Sequence, residues 1–237
     1  MIQLSKYDIT RGLKFPKRMS AELAEETGIH VGDGCICQYV NNKGFLGYKY
    51  IVTSGGNEAD YIEGYVAPLV EKVYGLYKKA KLKNDGTFQL SYDSKNLVKF
   101  KTLLGLPLGK KDFIKIPESV LNSNFFLDFL RGLMDTDGSL CFLRRRGTVK
   151  YYPRLAIISK SKFLILQVDS LLRISGFKTS VSLNCKTSTI KGKQFYISRV
   201  EMNGKENLMR WIRLIGFSNP KNIRKLEEWK TKGFIEK

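Results

Sequence analysis

Two related nine-residue segments set the architecture expected of this chain. Segment 130–138 (LRGLMDTDG) has a degraded copy at 26–34 (ETGIHVGDG), and each copy ends an apolar helical run with a small residue, an aspartate and a glycine. Segments 96–106 (NLVKFKTLLGL) and 207–217 (NLMRWIRLIGF) form a second related pair with matching apolar positions. Paired repeats in the same order indicate an internal duplication. Each half therefore carries one carboxylate at the tip of a helix.

Hydrophobic periodicity predicts the same series of elements in both halves. In the first half, Ser20 is the expected N-cap of a helix that runs to about Gly32. It is followed by a β-hairpin at 35–40 and 47–52, a helix at 58–74, a second hairpin at 77–82 and 87–92, and a helix at 94–104. The second half repeats this order with a helix from 123, strands at 140–144 and 150–158, a helix at 161–175, two more strands and a helix ending at 215.

These elements predict an α+β fold of two pseudo-symmetric αββαββα halves with antiparallel sheets. The N-terminal half is expected at 1–107 and the C-terminal half at 118–237. Segment 108–117 between them has no sustained period and is framed by prolines, which is typical of a linker. Pro220 should start a final charged helix.

The charge of the chain points to a polyanionic partner. Its 237 residues carry a formal net charge of +19, with a pI of about 9.7. Nucleic acid is the commonest partner of a basic intracellular protein, and a membrane surface is the main rival. No run of about 18 apolar residues could span a bilayer, and the polar N-terminus lacks the apolar core of a signal peptide. We expect a soluble protein of the cytoplasm or an organellar matrix.

Cysteine and histidine usage argues against disulfides and structural zinc. The cysteines Cys35, Cys37, Cys141 and Cys185 are too unevenly spread for a disulfide framework, so free thiols are expected. With His30 as the single histidine, a zinc finger would need mostly thiolate ligands, and no C-x-x-C pair is present.

The motif residues resemble those of the LAGLIDADG homing endonucleases in their single-chain, two-motif form. The second motif matches the family name at Leu130, Gly132, Leu133, Asp135, Asp137 and Gly138, and the first keeps Gly28, Ile29, Asp33 and Gly34. The resemblance covers nearly the whole chain. It implies saddle-shaped sheets on double-stranded DNA, motif helices at the interface of the halves, and hydrolysis of both strands of a long target across the minor groove with short 3′ extensions.

The physics of the motifs agrees with a metal site. Both motif helices carry small residues one turn apart, Gly28 and Gly32 in one and Gly132 and Thr136 in the other, which would let the helices approach backbone to backbone. The helix-tip carboxylates would then repel one another unless a cation lay between them. Mg²⁺ suits such hard oxygen ligands, Mn²⁺ could substitute, and Ca²⁺ could support binding without cleavage. The expected metal-site residues are Asp33, Asp137, Gly32 and Thr136.

The resemblance also implies a basic residue near each metal site, at the end of the second strand of each half. Lys160 stands there in the second half, whereas the first half has Ser54. Asp33, Asp137 and Lys160 are therefore the expected catalytic residues. Because the basic residue occurs in only one half, we expect the two DNA strands to be cut at different rates.

Three polar residues of the motifs are not expected to take part in the chemistry. Glu26 and His30 depart from the apolar pattern of the family, and a lone histidine on a packed helix is more often a hydrogen-bonded core group than a base. Asp135, one turn before Gly138, is expected to cap or pair within the helix interface rather than to bind metal.

DNA contacts are expected from one face of each sheet, where alternation directs every second side chain toward the groove. Many of them would bind phosphate and set the register instead of reading bases. The candidates are Gln38, Lys43, Lys49, Lys79, Lys81, Gln89, Arg144, Arg145, Arg146, Lys150, Arg154, Lys178, Lys186, Lys191, Lys193 and Arg199.

Other functions stay open. The leading alternative is a cleavage-deficient relative, either an RNA maturase with intron RNA as partner or a DNA-binding regulator; Ser54 and the irregular first motif favour it, and the two aspartates argue against it. Another nuclease fold could use Glu228, Trp229 and Lys230 as an E-x-K element, but their context is a charged helix. The histidine count excludes an HNH nuclease.

The termini lack intein splice residues, so an intron-encoded or free-standing gene is expected. Two motifs in one chain predict a monomer.

Overall fold

The computed structural model describes residues 2–145, 147–187 and 194–235. The chain divides into two compact units. The first unit comprises Met1–Lys110 with Pro117–Gly132, and the second comprises Lys111–Ile116 with Leu133–Lys237. Each unit has its own four-stranded antiparallel sheet and its own hydrophobic core.

The first unit is built on a sheet of strand order β1-β2-β4-β3. Its strands are β1 (Gly34–Val40), β2 (Leu46–Ser54), β3 (Lys81–Leu82) and β4 (Phe88–Asp93). Its helices are α1 (Lys6–Thr10), α2 (Ala21–Asp33), α3 (Ala59–Tyr61), α4 (Ala67–Tyr74), α5 (Lys95–Leu103), α6 (Glu118–Leu121) and the N-terminal part of α7 (Phe126–Asp137). A π-helical turn at Ile62–Val66 joins α3 to α4.

Local hydrogen bonds explain where these elements begin and turn. Ser20 Oγ accepts a hydrogen bond from Leu23 N–H at 3.3 Å and caps α2, as the sequence predicts. Asn41 Oδ1 accepts from the N–H groups of Lys43 and Phe45, at 2.9 Å each, and closes the β1–β2 turn. Gly44 completes that turn at a φ of +78°, which glycine adopts without steric cost.

The second unit repeats the plan with a sheet of strand order β5-β6-β8-β7. Its strands are β5 (Gly138–Leu143), β6 (Tyr152–Ser159), β7 (Thr179–Lys186) and β8 (Tyr196–Asn203). Its helices are the C-terminal part of α7, α8 (Lys162–Ile174), α9 (Lys205–Leu214) and α10 (Pro220–Lys232). The core includes Leu155 and Val200 from the sheet and Val168 and Trp211 from the helices, all at most 1% exposed.

The strand orders are the same because in each unit the second strand pairs with both the first and the fourth. This confirms the predicted α+β fold of two repeated halves with antiparallel sheets. Within the part of the chain that the structure describes, no helix combines the length and the apolar character needed to cross a membrane.

Some elements differ from the prediction. β3 spans two residues rather than 77–82, because it pairs with β4 only at Gln89 and Phe88. The predicted helix at 58–74 contains the π-helical turn. α1 was not predicted, since it depends on a distant contact: Ser94 Oγ donates to the buried Asp8 carboxylate at 2.8 Å.

The linker is anchored along its length. In the first unit, Gly109 N–H donates to Ile36 O at 2.8 Å, and Leu108 pairs with Ile36 in a parallel bridge. In the second unit, Ile114 is buried and its carbonyl accepts a hydrogen bond from Ser161 Oγ at 2.6 Å. The domain boundaries at 107 and 118 stay a prediction.

Candidate functional site

Asp33 lies at a junction between a helix and a strand. It is the last residue of α2, and β1 begins at the next residue. Gly34 N–H donates to the carbonyls of His30 and Ile29 and so closes the helix. A Cβ at Gly34 would lie 2.5 Å from His30 Cα, so glycine is required at this turn. The geometry leaves Asp33 half-buried at the helix tip.

Asp137 occupies the equivalent junction in the second unit. It is the last residue of α7, and β5 begins at Gly138, where a Cβ would overlap Met134. Burial raises the pKa of the Asp137 carboxyl, and the ammonium of Lys111 partly offsets that rise. A half-buried carboxyl group whose ionised form needs added positive charge is suited to a divalent cation, so the donor set fits the predicted metal.

Of the residues before the two aspartates, Gly32 could contribute only its main-chain oxygen, whereas Thr136 has a main-chain oxygen and a hydroxyl that donates within the helix. Gly32 has no side chain, and Thr136 Oγ1 donates to Leu133 O at 3.2 Å. Main-chain carbonyls in the last turn of a helix can accept from outside the helix. Among the described residues, no three His, Cys, Asp or Glu side chains form a cluster that could hold a metal ion.

Lys111 is a candidate that the sequence analysis missed. It lies in the segment of the linker that belongs to the second unit, and it is half-buried, whereas Lys110 beside it is exposed. Its charge acts on Asp137. In the sequence, a Lys-Lys pair in a linker is indistinguishable from a solvated charged run.

The two strand ends expected near the metal sites differ, but the pairing register offsets the predicted match by one residue. Gly34 pairs with Val52 and Gly138 pairs with Ile157, so Ser54 matches Ser159 and Gly55 matches Lys160. Lys160 follows β6, is exposed, and has its Nζ 5.7 Å from the centroid of the Phe195 ring. Ser54 ends β2 and is buried, and its Oγ has no hydrogen-bond partner within residues 2–145, 147–187 and 194–235. The first strand end therefore offers a buried hydroxyl, and the second offers an exposed ammonium.

The close packing predicted for the motif glycines is present at Gly132. Within the first unit, a Cβ on Gly132 would overlap the carbonyl oxygen of Glu25 and lie 2.9 Å from Ile29 N. Arg131 donates to the two carboxylate oxygens of Glu25 at 2.9 and 2.6 Å, and Tyr65 Oη donates to the same carboxylate at 2.8 Å. A close backbone contact flanked by a bidentate ion pair fixes the register of these helix segments.

The polar residues that depart from the apolar pattern of the first motif lie in the core. Glu26 and Lys101 are fully buried, and Lys101 Nζ donates to both carboxylate oxygens at 2.6 and 2.9 Å. Tyr50 and Tyr74 donate to the same carboxylate at 2.7 and 2.8 Å. His30 stacks on Tyr50 with ring centroids 5.1 Å apart, which places it in the core.

Three predicted DNA-binding residues lie on the open face of the first sheet. Lys49 and Gln89 alternate with buried strand residues, which places their side chains opposite the core, and Lys81 pairs with Gln89 across the strands and so shares its face. Gln38 is exposed but shares the alternation of the core residues. The remaining candidates of this unit lie in loops, Lys43 in the β1–β2 turn and Lys79 before β3.

In the second sheet, Arg154 and Arg199 lie on the open face. Both approach Glu201, with Arg154 Nη1 at 3.4 Å and Arg199 Nε at 3.6 Å from Glu201 Oε1, so an acidic residue orders the two guanidinium groups. Further candidates lie at strand ends and turns: Arg144, Arg145, Lys150, Lys178 and Lys186. The candidates Arg146, Lys191 and Lys193 lie outside the described residues.

Solved homing endonuclease structures share this fold. I-DmoI in complex with DNA and Ca aligns with a TM-score of 0.60 at 18% identity, over 88% of this chain and 97% of that one. I-WcaI bound to its DNA recognition sequence aligns with a TM-score of 0.58 at 16% identity, over 94% and 92%. The LAGLIDADG meganuclease I-AabMI bound to uncleaved DNA gives 0.54 at 11%, over 91% and 90%. The chain therefore has the fold of the LAGLIDADG homing endonucleases.

Sequence comparison gives a different neighbour. The chain is 29% identical over 211 residues to the replication factor C small subunit of Methanocaldococcus jannaschii, a match that covers 87% of this chain and 10% of that protein. The chain thus spans about a tenth of the length of this curated relative. No protein-family model matches the sequence.

Proposed function

We propose that the chain is a LAGLIDADG homing endonuclease that makes a site-specific, metal-dependent double-strand break in a long DNA target. The observation that carries the proposal is the repeated junction at which a helix ends on a half-buried aspartate and passes directly into the first strand of an antiparallel sheet. The net charge of +19 supports a polyanionic substrate. The likeness to endonucleases solved with DNA supports the same substrate class.

Asp33 with the carbonyl of Gly32, and Asp137 with the carbonyl of Thr136, are the groups that would bind divalent metal in the two units. Mg²⁺ is the proposed ion, since hard oxygen ligands suit it, with Mn²⁺ as a substitute and Ca²⁺ as an ion that supports binding alone. When bound, such a cation supplies Lewis-acid stabilisation of the phosphoryl charge and favours the ionisation of water.

The remaining groups of the chain bind and orient the DNA. Lys111 brings a positive charge to the Asp137 junction, where it can stabilise the charge that develops on the phosphate. Lys160 extends the positive surface from the exposed end of β6. Arg154 and Arg199 would contact phosphates or base edges in the groove, with Glu201 setting the orientation of both.

Cleavage of a randomised-site DNA library with Mg²⁺ tests the proposal. Specific double-strand cuts are expected from the wild type and from Asp85→Asn, a control that makes the same change at an exposed turn. Asp33→Asn and Asp137→Asn should abolish the cuts while retaining enrichment of the same sites in Ca²⁺. Equal cleavage by Asp137→Asn and Asp85→Asn would contradict the assignment of the carboxylates.

The buried Ser54 favours a second candidate function, a cleavage-deficient relative acting as an RNA maturase or a DNA-binding regulator. Under this alternative, the library would show site enrichment without cuts under any divalent cation. Splicing of candidate intron RNA in the presence of the protein would then separate the maturase from the regulator. A monomer is proposed for either function, and light scattering after size-exclusion chromatography measures it.

A further inference from the structure

Asp135 is directed at the N-terminus of α10. Its side chain is buried, with the residue 4% exposed, and Oδ2 accepts hydrogen bonds from Ser218 N–H at 2.6 Å and Asn219 N–H at 3.1 Å. Oδ1 accepts from Asn222 Nδ2 at 3.1 Å. These donors lie at the start of α10, where the helix dipole favours a negative charge. The carboxylate therefore binds one helix end while its backbone belongs to another helix.

Asn219 links the start of α10 to the main chain of Asp135. It is 2% exposed, its Oδ1 accepts from Lys221 N–H at 2.9 Å as the N-cap of α10, and its Nδ2 donates to Asp135 O at 3.0 Å. The main-chain carbonyl of Asp135 lies in the last turn of α7, where intrahelical donors run out. Both the side chain and the backbone of Asp135 are thus held by the start of α10.

The remainder of α10 contacts β5, the strand that follows Asp137. Lys225 Nζ donates to Leu140 O at 3.1 Å. The Trp229 ring stacks on Phe142 with centroids 5.5 Å apart, and its Nε1 donates to Tyr151 O at 2.9 Å. No loop residue separates α7 from β5. Contacts at Asp135 and Leu140 therefore bracket the junction that carries Asp137.

The first half lacks this arrangement. Val31 stands two residues before Asp33, where Asp135 stands before Asp137. After α5, the first half continues into the linker rather than into a helix comparable to α10. The hydrogen-bond partners of Asp135 are thus supplied by a helix, α10, that has no counterpart in the first half.

We propose that Asp135, Asn219, Asn222, Lys225 and Trp229 form a positioning clamp that fixes the Asp137 carboxylate for metal binding. Asp135 is a positioning residue in this scheme, because it acts through the α7–β5 junction and touches no reacting atom. The inference rests on the proposed nuclease function.

Asp135→Asn tests the clamp. An amide at this position carries no negative charge, and its NH₂ group cannot accept from the backbone donors or from Asn222 Nδ2, so at least one of the three present hydrogen bonds is lost. Loss of such an outer-shell contact costs about 10- to 100-fold in metal affinity or activity. We expect single-turnover cleavage to slow by about that factor, the Mg²⁺ concentration for half-maximal rate to rise about tenfold, and amide hydrogen exchange in segment 133–140 to accelerate.

A matched control separates positioning from general destabilisation. Asn207 belongs to the same unit, is 4% exposed, and makes three hydrogen bonds, with Lys178 N and O and with Asn203 O, at 3.0, 2.8 and 2.9 Å. Asn207→Ala should lower the melting temperature without changing the Mg²⁺ dependence or the exchange of segment 133–140. Combining Asp135→Asn with Asn222→Asp restores a swapped donor–acceptor pair and should recover most of the lost rate.

The inference fails if Asp135→Asn and Asn207→Ala give the same Mg²⁺ dependence and the same exchange in segment 133–140. If Asp135→Asn does not fold, Lys225→Met removes the ammonium that donates to Leu140 O, and a several-fold loss of rate with faster exchange at 138–143 is expected. A wild type that never cleaves DNA would overturn the proposed nuclease. The exchange measurements would still show whether α10 holds the junction.

Discussion

Glu26 and Lys101 form an ion pair that solvent does not reach, since both side chains are 0% exposed. Removing one partner of a buried pair costs about 3–5 kcal/mol, because the remaining charge is left without a counter-charge. We expect Glu26→Gln to lower the free energy of unfolding by about 3 kcal/mol in urea denaturation. Burial lowers the pKa of Lys101, so part of the cost can appear as deprotonation of its ammonium.

The same helix offers a control for this residue. Glu22 pairs with Lys72 at 2.8 Å, but the two side chains are 37% and 67% exposed. Glu22→Gln should therefore cost no more than about 0.5 kcal/mol. The double variant Glu26→Leu with Lys101→Met removes both buried charges and should regain part of the loss, since the buried hydroxyls of Tyr50 and Tyr74 then lack their acceptor. Equal effects of Glu22→Gln and Glu26→Gln would mean that burial adds nothing to this pair.

Single residues differ in how far the sequence reveals their roles. Asp33 and Asp137 could be identified because the motif occurs twice and each copy keeps its acid. The role of Glu26 could not be predicted, since its partner Lys101 lies 75 positions away and carries no motif. Lys111 could not be identified from the sequence for the same reason, because only the folded linker brings it near Asp137.

Among the elements, the linker contains two adjacent lysines that differ in exposure and in their effect on Asp137. Lys111 is half-buried and acts on Asp137, whereas Lys110 is exposed. Removing one preorganised charge at the site of reaction costs on the order of 100-fold in rate. We expect Lys111→Met to slow single-turnover cleavage by about that factor with little change in DNA affinity in Ca²⁺. Lys110→Met should match the wild type, and equal losses in the two variants would assign the effect to net charge alone.

The long elements were predictable because their apolar periods are sustained. α2 begins after the predicted N-cap Ser20, and α8 spans Lys162–Ile174 within the predicted 161–175. Elements that depend on tertiary partners were not predictable. β3 is as short as its pairing with β4 allows, and α1 is tied by Asp8 to Ser94, far along the chain.

For the whole molecule, the net charge of +19 predicts strongly salt-dependent DNA binding. Proteins that make 6–10 phosphate contacts lose about 10³- to 10⁵-fold in affinity between 50 and 200 mM salt. We expect a loss of about 10³-fold or more over that range, measured by fluorescence anisotropy in Ca²⁺. An affinity that is independent of salt would rule out the predicted phosphate contacts.

Two lysine variants of the first unit, one on the open face of the sheet and one on α4, test where the phosphate contacts lie. Lys81→Gln changes the open face of the sheet and should reduce the slope of log affinity against log salt by about 1, if the lysine binds phosphate. Lys72→Gln changes α4, where the lysine pairs with Glu22, and should leave the slope unchanged.

The repeated strand order followed from the sequence, because a duplicated order of elements predicts the same fold for both halves. The sequence did not predict how the surroundings of equivalent residues differ between the two halves. Val31 and Asp135 occupy matching positions with different surroundings, and only the fold shows which neighbours each has acquired.

The segments that contact the edge strands β1 and β5 have a consequence for solubility. Each strand lies at the margin of its sheet, where unpaired backbone groups can recruit strands from other molecules. Residues 108–109 pair with Ile36 on β1, and Lys225 of α10 binds Leu140 O on β5. A chain shortened before Pro220, or cut within the linker, would expose one of these margins. The two segments thus occupy the carbonyl oxygens of Ile36 and Leu140, which would otherwise be open to the strands of other molecules.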